Sequence, residues 1–348
     1  MKEQLKILII RLSAIGDTIH TLPLAYALRQ KFPDAQIDWV VEDKASHFIE
    51  NNPLLDNVFV IPKREWKTPF DMFDGINKII TKIKKENYDI AIDTQQLFKS
   101  GFLLGNSGAQ RKITLSGGRE FSSFFANEII PASHKLFDKN YHVVKRNLEI
   151  AKYLTANDED IKFVLPETKK ETKKKVSDLL FPLKKNLPVL VIAPATTWDT
   201  KHWENKYWAK IIEEFQNKAN IIITGTINDK DLTDDILLFG KYKNVLNLTG
   251  KTNLDELVEI FNKADIVIAP DSGSAQVAWA TGKPFVVSIF TSTSKDRTAP
   301  FGNNTKSFSP NITCYPCHKK KCFNKNFEQC KTKIDYYEII NLLKEQFK

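Results

Sequence analysis

The chain lacks any apolar run that approaches the roughly 20 residues a helix needs to cross a bilayer. Its longest apolar stretches, such as Leu187–Ala195, are less than half that length. The opening Met-Lys-Glu-Gln-Leu-Lys-Ile-Leu-Ile-Ile is a short β-branched run cut off by Arg11. It lacks the form of a secretory signal, which predicts a cytoplasmic protein. No Gly-x-Gly-x-x-Gly fingerprint occurs, so a dinucleotide-binding loop is poorly supported. Cysteine is absent before Cys314, and low-complexity tracts are absent throughout.

What remains is the composition of a globular protein, 42% hydrophobic and 27% charged. A length of 348 residues favours two domains over one core. The net charge of +9 implies attraction to polyanions: nucleic acid, anionic lipid headgroups or a phosphorylated glycolipid. The lysines are dispersed, as in Lys169-Lys170 and Lys173–Lys175, and read as solvated faces; nucleic acid is not assigned as a partner.

Apolar segments alternate with amphipathic ones. Leu5–Leu12, Gln36–Glu42, Asn57–Ile61 and Tyr88–Thr94 read as strands, and Thr18–Lys31 and His142–Leu154 as helices. Between them, Lys99–Arg119 reads as an irregular basic stretch. The Lys, Glu and Thr-rich Pro166–Lys185 reads as a boundary holding a helical turn or two at most. Beyond it come strands Val189–Ala193, Asn220–Thr224, Asp265–Ala269 and Pro284–Phe290, and helices Glu204–Lys218, Leu254–Lys263 and one from Ser274. The expectation is an α/β protein of two doubly wound domains, residues 1–165 and 166–348. Its active site would lie in the interdomain cleft, at the carboxyl ends of both sheets. A last helix in Ile334–Phe347 can pack on either domain.

Three strand-to-helix connections carry candidate chemistry. In Arg11-Leu-Ser-Ala-Ile-Gly-Asp-Thr-Ile-His20, residues Ser13, Gly16 and Asp17 follow a buried strand; Asp17 reads equally as a helix cap and as a catalytic carboxylate. In Ala193-Pro-Ala-Thr-Thr-Trp-Asp-Thr-Lys-His-Trp203, Thr196 and Thr197 can donate to phosphate and Lys201 can neutralise it. In Ala269-Pro-Asp-Ser-Gly-Ser274, Ser272 and Gly273 free backbone N–H groups for an anion, while Asp271 either caps the helix or receives a sugar hydroxyl.

Together these motifs resemble the ADP-heptose:lipopolysaccharide heptosyltransferases, especially heptosyltransferase I. Trp39-Val-Val-Glu42, Val60-Ile-Pro-Lys-Arg-Glu-Trp66 and Ile92-Asp-Thr-Gln-Gln-Leu-Phe-Lys-Ser100 extend the likeness over roughly residues 5–300. The resemblance implies the GT-B architecture of two Rossmann-like domains and inversion at the donor's anomeric carbon. It also implies catalysis without a metal or other cofactor; Asp229-Lys-Asp231 fits a metal-binding Asp-x-Asp pattern but reads as helix-start chemistry. Asp17 then matches the general base that deprotonates the acceptor. Thr196, Thr197 and Lys201 match positions that hold the ADP diphosphate, and Lys201 matches the cation that stabilises the leaving group. Asp271, Ser272 and Gly273 match the donor loop, and Asp229 an acidic position near the nucleoside. Ser13, Gly16, Lys63, Arg64, Lys67, Lys99, Arg119 and His142 are assigned to the acceptor, a Kdo-lipid A whose carboxylates and phosphates suit cations. The implied partners are ADP-heptose, Kdo-lipid A and the cytoplasmic face of the inner membrane, approached peripherally.

Three features stand apart. Gln276 occupies a position where the family usually has His, and a neutral amide cannot become a cation beside a diphosphate. This keeps open a related transferase that uses another nucleotide-activated sugar, or a protein or other glycan as acceptor. All four cysteines, Cys314, Cys317, Cys322 and Cys330, share one segment, whose spacing allows a structural Zn or Fe site or a loop of reduced thiols. Phe121, Phe124 and Phe125 read as core rings in preference to a membrane contact. From a different class, a non-catalytic basic protein that binds polyanions is the remaining alternative.

Overall fold

The computed structural model describes residues 4–325 and 327–347. The chain divides into two compact units between Glu167 and Thr168. The first contains β1 (Lys6–Ile10), α1 (Ile15–Ile19), α2 (Leu22–Lys31), β2 (Gln36–Glu42), β3 (Asn57–Ile61), α3 (Pro69–Lys85), β4 (Ile90–Asp93), α4 (Phe98–Gly105), β5 (Arg111–Leu115), β6 (Glu128–Ile130) and α5 (Val143–Tyr153). The second contains α6 (Lys170–Leu179), β7 (Val189–Ile192), α7 (Asn205–Phe215), β8 (Asn220–Ile223), α8 (Lys230–Leu237), β9 (Val245–Asn247), α9 (Leu254–Asn262), β10 (Ile266–Pro270), α10 (Gly273–Thr281), β11 (Phe285–Ile289), α11 (Lys295–Thr298), β12 (Thr305–Phe308) and α12 (Tyr336–Gln346).

Each unit is built on a six-stranded sheet, in the orders β3-β2-β1-β4-β5-β6 and β12-β11-β10-β7-β8-β9. The pairings are parallel, with Ile9 opposite Trp39 and Ile92 in the first sheet and Val191 opposite Val267 and Ile222 in the second. Parallel strands buried on both faces need continuous apolar sequence. β1 supplies it: Ile7, Leu8, Ile9 and Ile10 are fully buried. In both sheets the winding reverses beside the first strand of the unit, between β1 and β4 and between β7 and β10. Loops part there at the carboxyl ends of the strands and leave room for a ligand. The architecture is the two-sheet α/β arrangement read from the sequence.

Several elements differ from expectation. The helix expected over Thr18–Lys31 is two helices, α1 ending at a cap on His20 and α2 starting after Thr21 with Pro23 in its first turn. The stretch expected to be irregular between Lys99 and Arg119 contains most of α4 and all of β5, and the boundary segment contains the ten-residue α6. α6 buries only Val176 and is held from outside: Lys175 pairs at 2.6 Å with Glu256, which also closes the capping box of α9 with Asn253. α12 is capped by Asp335 and packs Ile339, Ile340 and Leu343 into the core of the second unit with Trp208 and Phe215. Among the described residues no helix is long and apolar enough to cross a membrane.

Candidate active site

In the first unit the β1 loop folds back on its own charge. Arg11, buried where β1 ends, donates from Nη1 to the Thr94 carbonyl at 2.8 Å beyond the neighbouring β4. Its Nη2 lies 2.9 Å from Asp17 Oδ1 in α1. The other Asp17 oxygen accepts from the Ala14 amide at 3.2 Å. The Asp17 side chain is 37% exposed, against 8% for Arg11, so a buried cation fixes a carboxylate that faces solvent. That arrangement suits a proton acceptor whose direction is preset. Ser13 lies in the loop just before α1, and Gly16 precedes Asp17 within the helix.

Beneath the loop, Asp93 at the end of β4 is completely buried. It accepts from the Gln95 and Gln96 amides at 2.8 and 3.0 Å and from the Ser100 hydroxyl at 3.0 Å. Burial pushes its carboxyl up to about 6, against these hydrogen bonds and the Arg11 charge, which favour the ionised form. Gln95 in turn accepts from the Leu12 amide at 2.8 Å, and Gln96 is bonded to Arg146 and the Leu115 carbonyl. The carboxyl ends of β1, β4 and β5 are thereby tied into one polar network.

The residues assigned to an acceptor fall into separate groups. Lys99 and Lys63 converge on Glu42, at 2.7 and 3.5 Å, and Lys99 also donates to Ser13 at 3.3 Å, which brings this basic cluster to the Asp17 loop. Arg64 and Lys67 are exposed, and their backbone amides bond to Asp43 and Asp71. Arg119 lies over the Phe137 ring at 5.0 Å. His142 is buried, caps α5 by accepting from the Val144 amide at 3.2 Å, and meets His20 edge-on at 5.9 Å. It has structural duties that its basicity did not suggest.

The core reading of the phenylalanines is corrected: Phe121 and Phe124 are 87% and 86% exposed. Phe121, at φ 58°, is in the left-handed region and starts the turn Ser122–Phe125. Only Phe125 packs inward, lying so close to α4 that a Cβ on Gly101 or Gly105 would come within 2.9 or 2.8 Å of its ring. Glycine at those two positions is a packing requirement.

In the second unit Asp271, just past β10, is the hub. Its Oδ2 lies 2.7 Å from Lys201 Nζ and accepts from the Thr293 hydroxyl at 2.6 Å, while its carbonyl accepts from the Thr196 hydroxyl at 2.9 Å. Lys201 also lies 4.8 Å above the Trp198 ring. Thr197 is exposed on the same loop. Ser272 caps α10, whose first residue is Gly273, by accepting from the Ala275 amide at 3.4 Å. Thr196, Lys201, Asp271, Ser272 and Gly273 are therefore gathered around the β7 and β10 ends. Asp229 stands apart from that hub and closes its own turn, accepting from the Thr226 amide and hydroxyl, both at 2.7 Å. His202, which borders both groups, is held below its usual range by burial and then by the Lys331 charge, so its imidazole is neutral at pH 7. Gln276 is buried and donates to the Thr298 carbonyl at 2.8 Å. It braces the end of α11, where the family resemblance led to the expectation of a cation.

The four cysteines line one cavity of about 390 Å³, together with Thr200 and Thr291. Among the described residues, however, no group of three or more His, Cys, Asp or Glu side chains is arranged to hold a metal ion. The expected Zn or Fe site at Cys314, Cys317, Cys322 and Cys330 is therefore not supported by this arrangement. Burial first, then the proximity of the other three thiols, pushes Cys330 up to about 11.

Sequence reading passed over Arg11, Glu42, Asp93, Arg146, Trp198 and Thr293. Arg11 had a signal, since a charge that ends a fully apolar strand is placed where the sheet opens. The others become visible only when distant strands pair.

A protein-family comparison matches residues 76–328 to glycosyltransferase family 9 (heptosyltransferase). The chain belongs to this family. Membership makes it a glycosyltransferase, and the alternative of a non-catalytic polyanion-binding protein falls. It is 24% identical to lipopolysaccharide heptosyltransferase 1 of Pseudomonas aeruginosa over 331 residues, covering 91% of this chain and 87% of that one. Its fold matches a glycosyl transferase family 9 structure from Veillonella parvula with a TM-score of 0.83 at 19% identity, covering 100% and 98% of the two chains. It also matches the E. coli heptosyltransferase WaaC with ADP, with a TM-score of 0.73 at 20% identity over 98% and 100%.

Proposed function

We propose that this family 9 enzyme transfers heptose, with inversion, from ADP-heptose to a Kdo unit of the lipopolysaccharide inner core. Asp17 takes the proton of the acceptor hydroxyl as its oxygen bonds to the anomeric carbon. The bond from that carbon to the diphosphate breaks, and ADP leaves with the electron pair, stabilised by Lys201 and the Thr196, Thr197 and Ser272–Gly273 loops. Lys63 and Lys99 near Ser13 supply positive charge for an anionic acceptor, with Arg64, Lys67 and Arg119 on the same unit. The observation that carries the reading is the exposed Asp17 carboxylate aimed by the buried Arg11 at 2.9 Å. The ADP in the similar E. coli structure supports the donor.

The test is ADP release by the purified protein from ADP-heptose, with and without de-acylated Kdo-lipid A. Acceptor-dependent release should fall about 10²- to 10⁴-fold in Asp17→Asn while ADP still binds. Release that survives in Asp17→Asn would remove the residue from the chemistry. A folded wild type with no release from ADP-heptose would turn the assignment to another nucleotide-activated sugar, the reading Gln276 leaves open.

The exposed Phe121 and Phe124 rings, on a protein of net charge +9, suit an anionic membrane surface where a lipid-linked acceptor resides. Co-sedimentation with phosphatidylglycerol vesicles is expected for wild type. Retention of that binding in Phe121→Ser/Phe124→Ser would place the contact elsewhere.

A further inference from the structure

The cysteine segment is fastened at successive points to the stretch after β11 and to the loop that carries Lys201. Tyr315 Oη accepts from the Lys295 amide at 3.0 Å, and the His318 amide donates to the Ser292 carbonyl at 2.9 Å. The buried Thr200 hydroxyl donates to the Lys319 carbonyl at 2.6 Å. Thr200 is itself gripped by Thr291, which donates to its carbonyl at 2.6 Å, and by Ser292, which donates to its hydroxyl at 3.1 Å. Since Thr200 immediately precedes Lys201, these bonds fix the backbone of residues 315–320 relative to the loop that presents Lys201. The next side chain along, Lys320, is exposed and lies 5.6 Å from the Trp198 ring, the same ring that Lys201 approaches at 4.8 Å.

Two ammonium groups on one indole are not equivalent. Lys201 is matched by Asp271 at 2.7 Å, whereas Lys320 has no ion-pair partner among the described residues. A diphosphate brings more negative charge than the Lys201–Asp271 pair leaves unmatched. A second cation held beside the first, without a carboxylate of its own, supplies the remainder. We propose that residues 315–320 clasp the loop that carries Lys201 and that Lys320 is a second binding cation for the diphosphate of a nucleoside diphosphate, an inference that rests on the donor site proposed above. The bonded thiol segment then serves to hold this lysine in place.

The experiment is calorimetric titration of the full-length protein with ADP and with AMP, in wild type, Lys201→Ala, Lys320→Ala, Lys320→Arg and Lys325→Ala. Lys320→Ala should weaken ADP about 5- to 10-fold, the worth of one charged contact, and weaken AMP several-fold less. Lys320→Arg should restore most of the ADP affinity, and Lys325→Ala, in the same segment, should bind as wild type. ADP affinity unchanged in Lys320→Ala but reduced in Lys201→Ala would overturn the second cation and leave the donor site standing. Equal losses for ADP and AMP would also overturn it, as loop damage. Wild type that fails to bind ADP would instead overturn the donor assignment.

Discussion

Lys201 and Asp271 meet at 2.7 Å where β7 and β10 end, with side chains only 16% and 11% exposed. The pair holds the ammonium in place before any ligand arrives, so little reorganisation is needed when negative charge develops on a leaving group. Thr293 shares the same carboxylate oxygen and keeps Asp271 in position when the lysine turns toward a ligand.

Lys201→Ala should therefore lower turnover about 10²- to 10³-fold, the usual cost of one preorganised electrostatic contact. Asp271→Asn keeps the shape and the Thr293 bond but loosens the lysine, and its loss should be smaller. Steady-state ADP release checks both. Equal activity of Lys201→Ala and wild type would remove the lysine from leaving-group stabilisation.

Arg11 acts through Asp17 and not on a substrate. Replacing it with Met keeps much of the buried stem volume but frees the carboxylate and the Thr94 carbonyl. Arg11→Met should lower kcat about 10- to 100-fold through misdirection of the base. The ADP dissociation constant should hold, since the donor loops lie in the other unit. Arg11→Lys should recover part of kcat. A change in ADP affinity with kcat intact would assign Arg11 a different task.

The run Gln36–Glu42 was legible to the residue because a strand buried on both faces leaves no alternative pattern, and Asn57–Ile61, a half-buried strand at the sheet edge, was legible from its β-branched and aromatic residues. The positions of the three loops that follow β1, β7 and β10 were legible too, since each comes directly after an apolar strand. α6 was not legible: its sequence is almost wholly polar, and it is stabilised by the Lys175–Glu256 contact to a helix some 80 positions away. Nor did basicity distinguish a cap such as His142 from a surface cation such as Lys63. Burial makes that distinction, and burial is set by tertiary packing.

The thiols should differ in reactivity although they share a cavity. Cys314 is exposed, while burial and the neighbouring sulfurs raise Cys330 to about 11, so at pH 7.5 Cys330 is almost entirely protonated. Iodoacetamide labelling followed by mass spectrometry is expected to modify Cys314 first and Cys330 last. Early labelling of Cys330 would show that its surroundings open in solution.

Asp93 gives a prediction in stability. Its carboxyl titrates near 6 in the folded protein against an ordinary 3.8, with burial as the first cause. Between those values the unfolded chain has lost the proton and the folded chain retains it, so the unfolded state binds fewer protons and stability falls as pH rises. The contribution is greatest below about pH 4, declines through about pH 6 and is flat above. The span corresponds to roughly 3 kcal/mol. Asn at this position can still accept from the Gln95 and Gln96 amides, and its amide can donate to Ser100 in a reversal of the native bond. Urea unfolding of wild type and Asp93→Asn across pH 4 to 8 should show the variant gaining on wild type by an amount of that order as pH rises. A difference independent of pH would mean that Asp93 is ionised throughout, with Arg11 and the three hydrogen bonds outweighing burial.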